Sequence, residues 1–229
     1  MQRYSKITEK NPREIALLKS YPCNWGRCAF CDYIKDNSKN FEELIKTNSE
    51  VLKKIDGKFK KLEIINSGSV FELPKETIEE IKRIAIKKNI EEISFETHYN
   101  YIEEIKNLKK YFSPIKLKFK CGIETFDEEF RNKVLKKGFK LDIEKAKESF
   151  DQICLLIGIK GQTKEMIDKD INLALKNFNR ICINIYIENS TAIKRDEEII
   201  NYFLKKYKYL EENPKVEILL NNTDFGVGD

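Results

Sequence analysis

The stretch IALLKSYPCNWGRCAFC, from Ile15 to Cys31, joins a short apolar run to a loop that carries three of the six cysteines of the chain. The run Ile15–Ser20 has the length and composition of a buried strand. The cysteine loop follows directly where that strand should end. This arrangement predicts a parallel α/β sheet whose chemical groups lie at the carboxyl ends of its strands.

The same pattern of an apolar strand followed by a polar loop returns along the rest of the chain, with amphipathic helical segments in between. We predict strands at Ile15–Ser20, Leu62–Asn66, Ile93–Thr97, Ile115–Gly122, Gln152–Ile159, Ile181–Ile187 and Val216–Leu220. We predict helices at about 40–55, 75–88, 99–110, 127–136, 142–149, 164–178 and 195–211, with Asp142 as the cap of the fifth.

Repeated strand-then-helix units predict the fold class: α/β, a partial (β/α)6 TIM-like barrel formed by a single domain. A complete eightfold barrel normally needs about 250 residues, and this chain has 229. No linker or change of composition divides it, so we expect one domain over residues 1–229. Within that domain we expect a cluster loop at 22–34 and a C-terminal strand and substrate-side tail at 213–229.

The charge pattern limits the classes of partner. The 43 Lys and Arg against 38 Asp and Glu give a net charge of only +5, and the charges interleave without a polybasic arm. Binding to nucleic acid is therefore not required. No stretch approaches about 20 consecutive apolar residues, and no charged-then-apolar leader precedes the first strand. We expect a cytoplasmic protein with no membrane segment.

Carboxylates stand at several of the predicted strand ends. Many Ser, Thr and Asn residues in such places are ordinary turn formers and helix caps. Glu96, Glu124 and Glu188 are different, because turns prefer Asp and Asn, and a Glu that points over a sheet must find a partner. We interpret these three as a functional set.

The three clustered cysteines have the spacing C-x4-C-x2-C, at Cys23, Cys28 and Cys31. Three thiolates on one loop can ligate a soft metal centre. Neither a fourth Cys nor a His lies nearby, which favours a [4Fe–4S] cluster with one iron open to an exogenous ligand. The alternatives are a fortuitous cluster, a zinc site completed by His98 or a remote Cys, and a redox pair at Cys28 and Cys31. The other cysteines are predicted to be core residues, namely Cys121, Cys154 and Cys182.

The cysteine loop resembles that of the radical S-adenosylmethionine (SAM) superfamily, which has C-x3-C-x-aromatic-C after the first strand of a partial (β/α)6 barrel. Cys28-Ala29-Phe30-Cys31 matches the second half of that motif, and the first spacing is one residue longer here. The resemblance extends over roughly residues 14–192. It implies that the cysteines hold a [4Fe–4S] cluster, that SAM binds its open iron, and that Phe30 lies against the adenine.

Further segments resemble the SAM-binding motifs of this superfamily. Asn66-Ser67-Gly68-Ser69 stands where the family has a Gly-Gly-Glu-type segment, which implies that Ser67, Gly68 and Ser69 receive the amino group of SAM. Glu96-Thr97, Gly122-Ile123-Glu124-Thr125 and Lys137-Gly138-Phe139 resemble segments of the elongator-like branch. The resemblance implies that Glu96 and Glu124 contact ribose or methionyl groups, and that Arg131 or Lys137 binds the SAM carboxylate.

Within the superfamily, the chain resembles queuine lyases, which release the 7-deazaguanine base preQ1 from queuine. The features that carry this likeness are the short chain, the long first cysteine spacing, the segment 188–192 and the Thr223-Asp224-Phe225-Gly226 ending. The resemblance implies a lyase that uses a 5′-deoxyadenosyl radical to cleave the C–N bond of queuine. A flavodoxin or ferredoxin would supply the electron.

The substrate side is assigned from chemistry. A guanine-like edge offers two adjacent donors, for which a carboxylate is the complementary acceptor, so Asp224 is the first candidate and Glu188 the second. His98 could orient a hydroxyl or transfer a proton as a catalytic group, and Tyr33 and Phe71 could stack on the base. Ordinary packing is the competing interpretation of these aromatic residues.

Two alternative functions stay open from the sequence. One is a radical SAM enzyme that modifies another substrate, such as tRNA, although such enzymes usually carry a basic stripe or an extra binding module. The other is a non-enzymatic iron–sulfur or zinc protein, whose metal centre should have every coordination position filled by the protein.

Overall fold

A computed structural model describes residues 1–228, and these form two compact units. The first unit comprises residues 1–26, 33–119 and the tail from 223, and the second comprises residues 27–32 and 120–222. The assignment of the whole chain to one radical SAM domain stays a prediction.

The strands of the first unit lie side by side in chain order. β1 (Tyr4–Ile7) is antiparallel to β2 (Arg13–Leu18), and β2, β3 (Lys61–Asn66) and β4 (Glu92–Glu96) are parallel to one another. β1 was not predicted, because its sequence YSKI has no continuous apolar run. β2 ends at Leu18, two residues before the predicted end.

The helices of the first unit follow their strands. They are α1 (Phe41–Leu52), α2 (Lys75–Lys87) and α3 (Ile105–Phe112). Short 3₁₀ turns precede each of them, at Tyr33–Asp36, Val70–Glu72 and Tyr99–Tyr101. The predicted helix at 99–110 is therefore wrong at its start, because the side chain of His98 caps a 3₁₀ turn there and the α-helix begins only at Ile105.

The strands of the second unit are also parallel and in chain order. β5 spans Lys116–Glu124, and its residues from Lys120 onward belong to this unit. It is followed by β6 (Gln152–Ile157), β7 (Arg180–Ile185) and β8 (Val216–Leu219). The pairing of β5 with β6 shifts register between Gly122 and Glu124, so β5 is irregular where its functional residues stand.

The helices of the second unit differ from the prediction in two places. α4 (Ile143–Ser149), α5 (Lys164–Asn177) and α6 (Glu197–Lys206) are present, and Asp142 caps α4 as predicted. The helix predicted at 127–136 is present only over residues 128–134, and it is a π-helical turn at Phe130–Val134 that leads into Lys137 and Gly138. The last predicted helix ends at Lys206 and continues only as a 3₁₀ turn at Lys208–Glu212.

The cores are built from the apolar residues of the strands. In the first unit Ile15, Ile64 and Phe95 are buried, and the ring of Phe95 lies 5.6 Å from that of Phe112, centroid to centroid. In the second unit Phe130 and Leu135 of the π-helical segment pack with apolar residues of the strand ends. Among residues 1–228, no helix is long and apolar enough to cross a membrane.

Candidate active site

Cys23 lies in a tight turn after β2. Its Sγ accepts a hydrogen bond from the backbone N–H of Gly26 at 3.4 Å, and its own N–H donates to Oδ1 of Asn37 at 3.3 Å. Gly26 has φ of +54°, a left-handed conformation in which a side chain would be strained. Since an N–H group that points at a sulfur stabilises a thiolate, the turn suits a metal-ligating Cys23.

Asn37 connects this turn to the end of β3. Its Nδ2 donates to the carbonyl of Ser67 at 2.8 Å and to Oγ of Ser20 at 3.2 Å. One amide side chain thus contacts the end of β2, the first cysteine and the Ser67–Ser69 turn. Asn37 was not predicted, because its distance along the chain from Ser67 gives no local signal in the sequence.

Glu72 is a buried carboxylate with three donors around it. Its Oε1 accepts from the N–H of Asn24 and from the hydroxyl of Tyr101, both at 3.0 Å, and its Oε2 accepts from the N–H of Ser69. Burial and then the charge of Glu72 raise the pKa of Tyr101 to about 12, so its hydroxyl stays protonated and donates. The sequence did contain a signal for Glu72, because Ser69-x-x-Glu72 is a capping box.

The Ser67–Ser69 turn, predicted to bind SAM, is closely packed. The hydroxyl of Ser69 is buried 2.7 Å from that of Thr97, and a Cβ on Gly68 would collide with the carboxylate of Glu72. Asn66, at the end of β3, donates to the carbonyl of Ser69 at 2.9 Å. Within residues 1–228 its buried Oδ1 has no hydrogen-bond donor, so an acceptor remains available beside the turn.

The aromatic residues of the first unit stack in pairs. His98 stacks on Trp25 with 5.8 Å between ring centroids, and its Nδ1 accepts from the N–H of Asn100 at 3.3 Å. Phe71 stacks on Tyr101 at 5.1 Å. Glu96 is half-buried as the last residue of β4, one residue before the buried Thr97.

The remainder of the cysteine loop belongs to the second unit. The N–H of Ala29 donates to the carbonyl of Leu135 at 2.9 Å, and the carbonyl of Phe30 accepts from Nδ2 of Asn189 at 2.7 Å. Asp32 accepts from the N–H and hydroxyl of Ser190. These contacts fix the backbone of the segment that carries Cys28 and Cys31, both of which are half-buried.

Glu124 and Lys137 form a buried ion pair in the same unit. The Lys137 Nζ lies 3.0 Å from Glu124 Oε1 and 5.8 Å from the centre of the Phe30 ring. Burial alone would lower the pKa of Lys137, but the charge of the Glu124 carboxylate and its hydrogen bond raise it above its ordinary value. Glu124 also has φ of +64°, which is strained for a residue with a side chain.

Arg131 is almost fully buried and turns back toward β5. Its Nη1 donates to the carbonyl of Thr125 at 2.9 Å, and its guanidinium lies 5.1 Å from the centre of the Phe139 ring. Asp170 of α5 contacts the same turn, because its Oδ1 accepts from the N–H of Phe126 at 2.7 Å. Asp170 was not predicted, because it is one of many charged residues in an amphipathic helix.

The predicted substrate residues are spread over both units. In the first unit Asp224 and Tyr33 are exposed. Next to Asp224, Phe225 is buried beneath the guanidinium of Arg13, and the N–H of Gln2 donates to the carbonyl of Gly228 at 3.1 Å. In the second unit Glu188 is exposed, and its Oε1 accepts from the N–H of Arg195 at 3.1 Å.

The three isolated cysteines are core residues, as predicted. Cys121, Cys154 and Cys182 are buried in β5, β6 and β7, whereas the loop cysteines are half-buried. Burial raises the pKa of Cys121 to about 12, which keeps that thiol protonated. None of the six cysteines, all of which lie within the described part of the chain, forms a disulfide.

A family model of the radical SAM superfamily matches residues 19–174, which is more than half of the chain. The chain therefore belongs to the radical SAM superfamily. It is 54% identical to the queuine lyase from Clostridium spiroforme, solved bound to SAM and queuine, with a TM-score of 0.98 over 100% of both chains.

Two more distant proteins share part of this likeness. Methylornithine synthase is 17% identical over 89% of this chain and 64% of its own, with a TM-score of 0.57, and it shares the fold alone. An uncharacterized protein of Methanocaldococcus jannaschii is 30% identical over 139 residues, which are 53% of this chain and 38% of that protein. The match thus spans well under half the length of this curated relative.

These findings confirm three predictions. The fold class is α/β, a partial (β/α)6 barrel, as in the full-length structural neighbour. The chain is an enzyme of the radical SAM class, and its cofactors are the [4Fe–4S] cluster and SAM of that superfamily. The roles of individual site residues stay predictions.

Proposed function

We propose that this chain is a queuine lyase, which cleaves the C–N bond of queuine and releases preQ1. The observation that carries the proposal is the likeness to the queuine lyase from C. spiroforme, at 54% identity over the full length of both chains. Fold alone would not suffice, because one fold of this kind hosts many reactions. Methylornithine synthase illustrates this, since it shares the fold at only 17% identity.

The cysteine loop has the donor set that a [4Fe–4S] cluster needs. Cys23, Cys28 and Cys31 are soft sulfur ligands on one short loop, they form no disulfide, and each is half-buried. The Gly26 N–H that points at Cys23 Sγ adds the hydrogen bond typical of such a ligand. We therefore assign these three cysteines as the cluster ligands. When bound, the cluster and SAM together supply the 5′-deoxyadenosyl radical of this enzyme class.

The residues proposed for SAM complement its groups. The amino group is a donor, and the buried Oδ1 of Asn66 lacks a donor within residues 1–228, directly beside Ser67 and Gly68. The SAM carboxylate is an anion, and the cationic candidates are Lys137 and Arg131. Phe30 offers a ring for the adenine, and Glu96 and Glu124 offer carboxylates for the ribose hydroxyls.

For the substrate we assign the guanine-like edge of queuine to Asp224, with Glu188 as the second candidate. Asp224 is exposed, and its neighbour Phe225 is anchored in the first unit beneath Arg13. Glu188 is also exposed, and its Oε1 accepts from the N–H of Arg195. Tyr33, Phe71 and His98 remain assigned to the substrate on chemistry alone. The task of these groups is to position one carbon of queuine and to exclude water.

The reductant and the location of the enzyme complete the proposal. The radical class needs a one-electron donor, and we assign a flavodoxin or a ferredoxin. We place the protein in the cytoplasm, because six cysteines without a disulfide are typical of a reducing compartment.

The test is anaerobic reconstitution with iron and sulfide, followed by incubation with SAM, dithionite and queuine. The expected result is 5′-deoxyadenosine and preQ1, with preQ1 formation dependent on both SAM and queuine. Formation of 5′-deoxyadenosine with queuine left intact would retain the radical SAM class and reject the lyase. Zinc in place of iron and sulfide after anaerobic purification would reject both.

A further inference from the structure

We propose that Glu72 is a positioning residue that fixes the turn after Cys23 against the Ser67–Ser69 turn, so that SAM can reach both at once. This inference rests on the assignment of these two turns to the cluster and to the amino group of SAM. Glu72 itself contacts neither group in the proposal, and it acts through the backbone that it holds.

The three hydrogen bonds of Glu72 connect three separate segments of the first unit. Asn24 follows the first cysteine, Ser69 closes the predicted SAM turn, and Tyr101 lies in the 3₁₀ turn after β4. A carboxylate can accept all of these bonds, because it has two oxygens and no donor. The backbone of Glu72 adds a fourth contact, since its carbonyl accepts from the N–H of Tyr21 at 3.0 Å.

Steric packing makes this arrangement specific. Gly68 is so close to Glu72 that a Cβ there would collide with the carboxylate, and it would lie 3.5 Å from Cβ of Cys23. The space next to the Gly68 Cα is therefore bordered by both the Glu72 carboxylate and the Cys23 side chain. A shift of the carboxylate would move both turns.

Asn37 holds part of the same arrangement independently of Glu72. It accepts from the N–H of Cys23 and donates to the carbonyl of Ser67. Because these bonds survive a change at Glu72, we expect the cysteine loop to keep its ability to load iron. We expect a change at Glu72 to weaken SAM binding instead, because SAM binding requires the two turns at a fixed separation.

Glu72→Gln is the sharpest variant. The amide keeps the size of the side chain but replaces one acceptor with an NH₂ donor, which would face the N–H of Asn24 or Ser69. Glu14 provides the matched control in the same unit. It is fully buried and likewise accepts from two backbone N–H groups, those of Asp56 and Gly57, and from the hydroxyl of Tyr4. It lies near the opposite end of β2 from the cysteine loop.

The experiment compares wild type, Glu72→Gln and Glu14→Gln after anaerobic reconstitution. It measures iron per chain, the melting temperature of the protein without cofactors, the Kd for SAM, and the change that SAM causes in the EPR spectrum of the reduced cluster. We expect both variants to melt lower and to retain wild-type iron. Only Glu72→Gln should lose the SAM-induced EPR change and bind SAM at least about tenfold more weakly.

Several outcomes would overturn the inference: wild-type SAM affinity in Glu72→Gln, an equal loss of affinity in Glu14→Gln, or loss of iron in Glu72→Gln alone. If Glu72→Gln does not fold, Tyr101→Phe decides, because it removes one of the three donors and leaves the ring stacked on Phe71. We then expect SAM affinity to fall about threefold at unchanged iron content, and an unchanged affinity would reject the proposal. SAM binding is measured without queuine, so failure of the lyase assignment would be recognised separately.

Discussion

Lys137 and Glu124 form an ion pair at 3.0 Å, and each side chain is only 8% exposed. The two residues come from different segments, the end of β5 and the turn after the π-helical segment. A buried pair of this kind contributes little net stability, because desolvation offsets most of the attraction. The backbone of Glu124 is also in the left-handed region, which is strained for a residue with a side chain. A pair that adds little stability and requires backbone strain favours a functional role.

Lys137→Met should therefore weaken SAM binding as well as stability. The substitution leaves the Glu124 carboxylate buried without its cation, which costs about 3 kcal/mol in comparable cases, and it removes the proposed partner of the SAM carboxylate. We expect the Kd for SAM to rise at least about tenfold. Isothermal titration of the reconstituted protein measures it.

The control is Glu217→Gln in the same unit, which breaks the ion pair with Arg180 at 2.9 Å. That pair joins β7 and β8 near their amino-terminal ends, away from the residues assigned to SAM. We expect lower stability and unchanged SAM affinity. Equal weakening of SAM binding in both variants would mean that Lys137 acts only through stability.

Asp170 should make the stability of the protein depend on pH. Burial is the main cause that raises the pKa of Asp170 to about 7, and the charge of Asp127 adds a smaller contribution. Hydrogen bonds from the Phe126 N–H and the Thr125 side chain, and the charge of Lys169, act in the opposite direction. An Asp in the unfolded chain has a pKa of about 4. Between these values the folded state binds more protons than the unfolded state, so stability should fall as pH rises from about 4 to 7.

Asp170→Asn should abolish this fall, because the amide Oδ1 can still accept from the N–H of Phe126 and carries no charge. The gain relative to wild type should be on the order of a few kcal/mol at pH 8 and much smaller at pH 5, since one pKa unit corresponds to about 1.4 kcal/mol. Urea unfolding at both pH values measures it. An equal change in the free energy of unfolding at pH 5 and pH 8 would contradict the expectation.

Substitution of a loop cysteine and of a core cysteine should affect the iron content of the protein differently. Cys31→Ala removes a proposed cluster ligand, and we expect iron after reconstitution to fall from about four atoms per chain to near zero. Cys154→Ala, in the core of β6, should leave iron unchanged and lower the melting temperature slightly. Colorimetric iron and sulfide analysis of both variants checks this, and comparable iron loss in the two would refute the assigned ligand set.

The sequence predicted the parallel strands well because their signal is local. Leu155 lies in the continuous apolar run 153–157, and such runs identify strands buried on both faces. β1 escaped because an antiparallel edge strand needs no continuous apolar run. The π-helical turn at Phe130–Val134 escaped because its i to i+5 geometry has no sequence periodicity of its own.

Candidate site residues could be predicted from the sequence where the residue type and its position along the chain indicate their chemistry. Three closely spaced cysteines and a Glu at a strand end are visible in a sequence, and so are Lys137 and Glu124. Asn37 and Asp170 were not visible, because their importance comes from distant backbone groups that they contact only after folding. Glu72 was in principle accessible through its capping box, but a cap alone does not reveal the bonds to Asn24 and Tyr101.

Asp224→Asn should discriminate between the two candidate substrate carboxylates. A carboxylate accepts from both N1–H and the exocyclic amino group of a guanine-like base, whereas the amide accepts one bond and opposes the other donor with its own NH₂. We expect the KM for queuine to rise about tenfold with the Kd for SAM unchanged. Steady-state formation of preQ1, followed by chromatography, measures the KM.

Glu188→Gln is measured in parallel as the competing assignment. The carboxylate of Glu188 accepts from the N–H of Arg195, a bond that the amide oxygen can keep, so we expect little change in the KM for queuine. A large rise in Glu188→Gln with none in Asp224→Asn would transfer the base-binding role to Glu188. Since Phe225 anchors the tail beneath Arg13, the rise in Asp224→Asn should come without a loss of melting temperature. A drop in melting temperature that parallels the rise in KM would instead assign Asp224 a structural role.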